Sequence, residues 1–276
     1  MISAIFRALN SGLWVPTLVQ LNVSSAAPVT TQSECSVVGA IPARYGSTRL
    51  PGKALRLLAG RSLIEHVYRR VRDVEAFDQV VVLTDDARIV DAVERFGGCC
   101  ELTPEDCLSG TDRVAWAAKN WAAQAVVNVQ GDEPLVDGGD LTSVIEHLVE
   151  HPDDPIVTLA VECPEELVDD PNAVKVVVDR EGYALYFSRS RVPYLRNVGH
   201  APYLLHVGVY GYQRQALLEL AALPPSPLEE SESLEQLRAL ENGYRIRVLR
   251  AARPSMGVDT LEDLKRVERL MVVGGD

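Results

Sequence analysis

From Val37 onward, short apolar runs alternate with stretches of helical periodicity. Val37–Pro42 is apolar throughout, the pattern of a strand buried on both faces. Ser62 precedes a 3.6-residue repeat that reaches Val74, and Glu65 three residues on completes a capping box. Val80–Thr84 predicts the next strand, and Asp85–Asp86 then opens a helix that stops at Gly97–Gly98. Thr111–Ala123 and Asp140–Glu150 read as helices, with Ala125–Gln130 a strand between them. This rhythm predicts an α/β fold, a mostly parallel sheet with helices on both faces.

The second half changes character. Ala173–Asp179 and Tyr183–Ser188 flank the turn Arg180-Glu181-Gly182 and predict a hairpin, with Leu204–Tyr212 a further strand. Ser231–Asn242 reads as one helix, and Thr260–Met271 as another opened by Thr260 with Asp263 three residues on. There is no internal repeat and no long linker. Residues 37–276 are therefore expected to form a single domain, with a small antiparallel lobe inserted at about 170–212.

Residues 1–36 do not fit this pattern. They are poor in acids, and Ser11, Gly12, Pro16, Gln20 and Asn22 interrupt any continuous apolar core that a secretory signal or a membrane span would need. The segment is read as a leader, disordered or a misplaced start, with targeting or a membrane-surface role as the alternative.

Composition narrows the chemistry. The formal charge of −12 repels nucleic acid and anionic lipid, so any bound anion needs a local cluster of cations. Only Lys53, Lys119, Lys175 and Lys265 are lysines, which makes a lysine inside a motif informative. The five cysteines, at 35, 99, 100, 107 and 163, have no zinc spacing and read as reduced thiols.

Such a cation cluster follows the first strand. In Pro42-Ala43-Arg44-Tyr45-Gly46-Ser47-Thr48-Arg49-Leu50-Pro51-Gly52-Lys53, three cations stand within ten residues at a strand's carboxyl end, where open α/β sheets bind ligands. Gly46 and Gly52 allow the backbone close to a ligand, and a triphosphate would need such charge. This is not a Walker loop, because five residues separate the glycines and Ala54 follows Lys53. Strand Ala125–Gln130 runs into Gly131-Asp132-Glu133-Pro134 at the same edge. An acid beside a triphosphate points to a divalent cation between them, although Asp132 would equally make a turn. Asp259, just before a helix, is either a second metal ligand or an N-cap.

These segments resemble the 3-deoxy-manno-octulosonate cytidylyltransferase (CMP-Kdo synthetase) family. The likeness rests on Ile41–Lys53, Ser109-Gly110-Thr111-Asp112-Arg113 and Val127–Pro134, and then on Pro171-Asn172-Ala173-Val174-Lys175 and Tyr186-Phe187-Ser188-Arg189. His206–Tyr212, Leu234–Arg238 and Gly257-Val258-Asp259-Thr260 complete it, in order, over about residues 37 to 271. The resemblance implies a nucleotide-diphospho-sugar transferase fold and Mg2+-dependent transfer of CMP from CTP to the anomeric hydroxyl of Kdo. It further implies a cytoplasmic homodimer serving lipopolysaccharide assembly, without nucleic-acid partners.

Residue by residue, the resemblance places Arg44, Arg49 and Lys53 on the triphosphate and Asp132 and Asp259 on the metal. It places Ala43, Ser109, Gly110, Thr111, Arg113 and Gln130 around the rest of CTP. Arg189, His206, Tyr210, Glu235 and Gln236 match the region holding the sugar acid. An arginine suits the carboxylate of Kdo, whereas His206 on an apolar strand would also serve as a structural residue. Glu235 and Gln236, about 100° apart on a helix, do not both face one ligand. Cys107 departs from the family, which commonly has His there. Another sugar acid as acceptor, such as a sialic acid or amino-Kdo, and a non-catalytic nucleotide-sugar binding protein are the rival readings. A metal-dependent glycosyltransferase would carry an Asp-x-Asp motif, which Asp132-Glu133 does not supply.

Overall fold

The twelve elements expected above form, one of them as two helices, and further strands and a helix join them, but their order in space is not their order in the chain. The computed structural model describes residues 37–274 apart from 48, 198, 200 and 201, and all its elements belong to one compact unit. The leader expected over residues 1–36 lies outside the described residues.

The first half alternates strand and helix, and strands at Leu57–Leu58, Arg61–Ser62, Cys100–Leu102 and Ile156–Glu162 add to the elements expected there. Strand β1 (Val37–Pro42) is followed by the short pair β2 (Leu57–Leu58) and β3 (Arg61–Ser62), helix α1 (Leu63–Arg72), β4 (Gln79–Thr84), α2 (Ala87–Arg95) and β5 (Cys100–Leu102). Next come α3 (Gly110–Ala118), β6 (Ala125–Asn128), α4 (Gly138–Glu150) and β7 (Ile156–Glu162). The second half contains β8 (Lys175–Val178), β9 (Ala184–Ser188), β10 (Leu204–Gln213), α5 (Arg214–Ala221), α6 (Pro227–Glu232), α7 (Gln236–Glu241), β11 (Ile246–Arg250) and α8 (Leu261–Gly274).

The main sheet runs β11-β7-β10-β6-β1-β4-β5. Pairs β1–β4, β1–β6, β4–β5 and β7–β11 are parallel, whereas β10 is antiparallel to both β6 and β7. The predicted hairpin β8–β9 forms, and it joins the main sheet through Leu204 and Leu205 of β10 rather than standing apart. Alternate residues of β1 feed two cores. Val37 and Ile41 pack with α1, α2 and α4, and Val38 and Ala40 with α3, α5 and α7. Burial of this kind contributes roughly 1.5–3 kcal/mol per large aliphatic side chain and makes the sheet a rigid platform.

Four local expectations are corrected. Ser62 Oγ does accept from the Glu65 N–H at 3.3 Å, but the Glu65 carboxylate turns to Arg69 and Arg61, so the capping box is only half formed. Helix α3 stops at Ala118 instead of 123, because Arg214 donates to the carbonyls of Ala118 and Lys119 at 2.7 and 2.9 Å and closes the helix end. The single helix expected over Ser231–Asn242 is two helices, broken where Ser233 takes the left-handed conformation (φ 51°). Gly52, expected to admit a ligand, takes φ 67° to make a turn against the Tyr45 ring.

Candidate active site

Parallel strands β1 and β6 bring the loops after them to the same sheet edge, and the loop from β5 to α3 borders them. The first two loops touch so closely that a side chain at Gly131 would lie 2.8 Å from the Pro42 carbonyl oxygen, so only glycine fits. Between these loops lies a cavity of about 300 Å³. Ala43, Arg44, Arg49 and Lys53 line it from the first loop, and Gln130 and Asp132 from the second. Ser109, Gly110 and Arg113 of α3 and its cap, together with Asp259, complete the predicted residues on its wall.

The two carboxylates proposed as metal ligands meet here. Lys53 Nζ donates to Asp132 Oδ2 at 2.5 Å and to Asp259 Oδ1 at 2.9 Å. Arg49 pairs with the other Asp259 oxygen at 3.0 Å. Burial opposes the charge on Lys53, but the Asp132 and Asp259 carboxylates outweigh it and raise its pKa. Asp259 arrives from 206 positions away because Leu50, Leu58 and Leu63 bury against Val258, Leu264 and Val267. The Val258 N–H also donates to the Asp132 carbonyl at 2.9 Å. The cap of α8 is Thr260, whose hydroxyl accepts from the Asp263 N–H at 3.2 Å while Asp263 reaches back to the Thr260 N–H. Asp259 is thus not needed as the cap, and its carboxylate faces the cations.

Two hard oxygen donors converging where an ammonium now sits fit a magnesium ion, which uses one or two carboxylates together with phosphate oxygens. Among the described residues no group of three or more His, Cys, Asp or Glu is arranged for a metal.

The remaining predicted residues divide. Arg113 lies on the cavity wall, yet its guanidinium is buried and committed to Asp85 at 2.6 Å and to the Thr103 hydroxyl. Thr111 is buried and off the wall, and its hydroxyl donates to Glu235. On the neighbouring stretch of sheet, the His206 and Tyr210 ring centres are 5.2 Å apart and His206 meets the Phe187 edge at 5.2 Å. Thr158 Oγ1 lies 2.9 Å from His206 Nε2, and burial lowers the imidazole pKa to about 4. Arg189 donates to the carbonyls of Glu232, Pro171 and Ser233, bracing the hairpin against the α6–α7 break. Among the described residues that leaves one N–H on each terminal nitrogen. Gln236 is the first residue of α7, and Glu235 its cap.

Three neighbours went unnoticed in the sequence. Glu133, beside Asp132, is buried with Oε2 unpartnered, and burial together with the Asp132 charge pushes its carboxyl up to about 7. Asn128, in register with Tyr210, is buried with neither side-chain atom hydrogen-bonded. Leu108 stands on the cavity rim beside Cys107 and is 87% exposed. A polar residue ending the apolar run Ala125–Asn128 was a readable signal for Asn128; nothing local distinguished the other two.

A family model described as Cytidylyltransferase matches residues 38–246. A 3-deoxy-manno-octulosonate cytidylyltransferase of Solibacter usitatus is 49% identical over 237 residues, 85% of this chain and 94% of its own. The corresponding protein of Geobacter sulfurreducens is 47% identical over 245 residues, 84% of this chain and 98% of its own. Among solved structures, a CMP:2-keto-3-deoxy-manno-octonic acid synthetase complexed with CTP superposes with a TM-score of 0.84 at 42% identity, covering 87% of this chain and 99% of that one. A cytidylyltransferase from Leptospira borgpetersenii, 17% identical with a TM-score of 0.60 over 86% of this chain and 87% of its own, shares the fold alone.

Proposed function

This chain belongs to the cytidylyltransferase family, and from that premise we propose that it transfers CMP from CTP to the anomeric hydroxyl of 3-deoxy-D-manno-octulosonate (Kdo), releasing pyrophosphate. The observation that carries the reading is the meeting of Arg44, Arg49 and Lys53 with Asp132 and Asp259 around one cavity beside the start of α3.

The charge balance explains the arrangement. Lys53 and Arg49 offset Asp132 and Asp259, so the four groups are close to neutral before substrate arrives. A triphosphate adds about four negative charges, which calls for Arg44 and a divalent cation as well. Asp132 and Asp259 would hold Mg2+. When bound, the ion would neutralise phosphate charge and lower the pKa of the attacking hydroxyl.

The protein's own part is positioning and charge stabilisation, as is usual for phosphoryl-type transfer. Lys53 stays protonated and can pass a hydrogen bond from Asp132 to a phosphate oxygen. Arg49, exposed and paired among the described residues with Asp259, would swing onto the departing pyrophosphate. Backbone N–H groups in the first turn of α3, after the Ser109 N–H that Asp112 already takes, suit the cytosine and ribose. The acceptor would lie toward His206 and Tyr210, with the two remaining N–H groups of Arg189 facing its carboxylate. His206 is neutral above about pH 4 and held by Thr158, so it serves as a hydrogen-bonding wall and not as a cation.

The reading extends to a cytoplasmic homodimer that supplies activated Kdo for lipopolysaccharide. No helix among the described residues is long and apolar enough to cross a membrane. Sedimentation of the purified protein tests the dimer. Pyrophosphate release with CTP, Mg2+ and Kdo tests the reaction, with parallel reactions lacking metal or sugar, or containing a sialic acid. Release that requires CTP, metal and Kdo is expected. Release only with another sugar acid would move the acceptor, and no release from protein that binds CTP would favour a binding role.

A further inference from the structure

The stretch Pro171-Asn172-Ala173-Val174-Lys175 carries part of the family likeness, yet none of its residues lines the nucleotide cavity. Its lysine, one of four in the chain, is 0% exposed. Lys175 Nζ donates to three main-chain carbonyls, those of Asp170 at 2.9 Å, Ala173 at 2.5 Å and Arg189 at 2.7 Å. A neutral amine has only two N–H groups, so three acceptors call for the ammonium. An apolar side chain of that size would be buried at less cost.

What the cation does there shows at Arg189. This residue follows β9, where the ladder to β8 ends with Lys175 opposite Ser188. Lys175 takes the Arg189 carbonyl, and the Arg189 N–H donates to Glu232 Oε2 at 3.0 Å. Each charge thus meets the main-chain group of opposite partial sign, and such charge-assisted bonds are about twice as strong as neutral ones. The other Glu232 oxygen accepts from the Ser188 hydroxyl at 2.6 Å, whose oxygen accepts from the Ser190 N–H at 3.0 Å. Beyond the last rung of the hairpin, side chains therefore fix the main chain over 188–190.

The ammonium reaches the Arg189 side chain as well. Asp170 and Ala173 flank Pro171, whose carbonyl accepts from Arg189 Nη1 at 2.9 Å. One cation so holds both the main chain of Arg189 and the loop that aims its guanidinium. We infer that Lys175 and Glu232 are positioning residues for Arg189, pinning its carbonyl and its N–H so that the guanidinium is presented to the carboxylate of the acceptor. The inference rests on the reading that Arg189 meets that carboxylate. Lys175 itself, buried and with all three N–H groups taken, does not reach the acceptor.

The test compares Lys175→Met and Glu232→Ala with the parent. Three quantities are read: the KM for the sugar acid at saturating CTP, CTP affinity by calorimetry without acceptor, and amide hydrogen exchange at Arg189 and Ser190 without any ligand. Each variant is expected to raise the KM at least about tenfold and to speed exchange at both amides, with CTP affinity within about twofold. Glu232→Gln keeps one acceptor oxygen and should lose only about threefold. A lysine that merely stabilises the fold would lower the melting temperature and leave the KM and the local exchange of the folded protein unchanged. That outcome would overturn the inference.

Should Lys175→Met fold poorly, Glu232→Ala carries the test, because Glu232 is only half-buried at the last position of α6. Combining either variant with Arg189→Ala should add less than about twofold to the KM loss of Arg189→Ala alone. Fully additive losses would show a route other than Arg189 and would also overturn the inference. Exchange needs no substrate. A parent that accepts no sugar acid would therefore sink the acceptor reading, while exchange alone decided whether Lys175 and Glu232 pin Arg189.

Discussion

Lys53 and Asp132, 79 positions apart, meet at 2.5 Å between Nζ and Oδ2, with Asp259 completing the contact at 2.9 Å. Two carboxylates share one ammonium, an arrangement that holds them together without a metal and leaves their oxygens converging for one. Asp132 is partly solvent-exposed, so its ion pair contributes at most about 1 kcal/mol to folding.

Asp132→Asn should therefore separate activity from stability. Pyrophosphate release is expected to fall at least about a hundredfold, whereas the melting temperature should move by only a few degrees. Rates within a few-fold of the parent would remove Asp132 from the proposed metal site.

Arg113 presents the opposite case. Its guanidinium is almost fully buried and its charge is met by Asp85 at 2.6 Å. Asp85→Asn leaves that cation without its counter-charge and should cost about 2–4 kcal/mol in urea unfolding. A loss below about 0.5 kcal/mol would mean that Thr103 and the Pro104 carbonyl suffice.

His206 predicts a pH dependence. Burial holds the folded ring's pKa down to about 4 against an ordinary 6.5, so between those values the unfolded chain binds the extra proton. The contribution is complete above pH 6.5 and is lost as the pH falls toward 4. Because the side chain is partly open to solvent by surface area, we expect a loss of about 1–3 kcal/mol and not the full shift. His206→Gln keeps a partner for Thr158 and should flatten that part of the acid slope in denaturation at pH 7, 5.5 and 4.5. Parallel slopes for parent and variant would show that His206 is protonated in the folded state at its ordinary pKa.

Ser233 holds a left-handed backbone at the α6–α7 break, where a side chain is strained. Ser233→Gly should raise stability by about 0.5–1 kcal/mol without weakening CTP binding. A loss of stability would mean that the serine makes a contact worth more than the relief of strain.

Much of the site could be read from the chain because it depends on local chemistry. Apolar runs specified β1, β4 and β6, and the cations of the loop after β1 stood out against an acidic background. Parallel neighbours then necessarily put that loop and Asp132 at one edge. What local pattern does not encode is partnership. An arginine in a motif looks the same whether its guanidinium is open or, as with Arg113, buried against Asp85, or, as with Arg189, partly engaged by backbone carbonyls. A glutamate on a predicted helix does not reveal that Ser233 will break the helix and turn it toward Ser109 and Thr111.

The sequence by itself thus determined most of the elements that flank the site, the cation loop and the two acids, since side-chain periodicity and residue type act over a few positions. Only the tertiary structure decided that β10 runs antiparallel through the middle of the sheet, that Asp259 crosses 206 positions to reach Lys53, and that the Glu235 carboxylate meets the Ser109 hydroxyl. Those choices follow from burying apolar faces such as Leu50 against Val258, a property of the whole packed molecule and of no single segment.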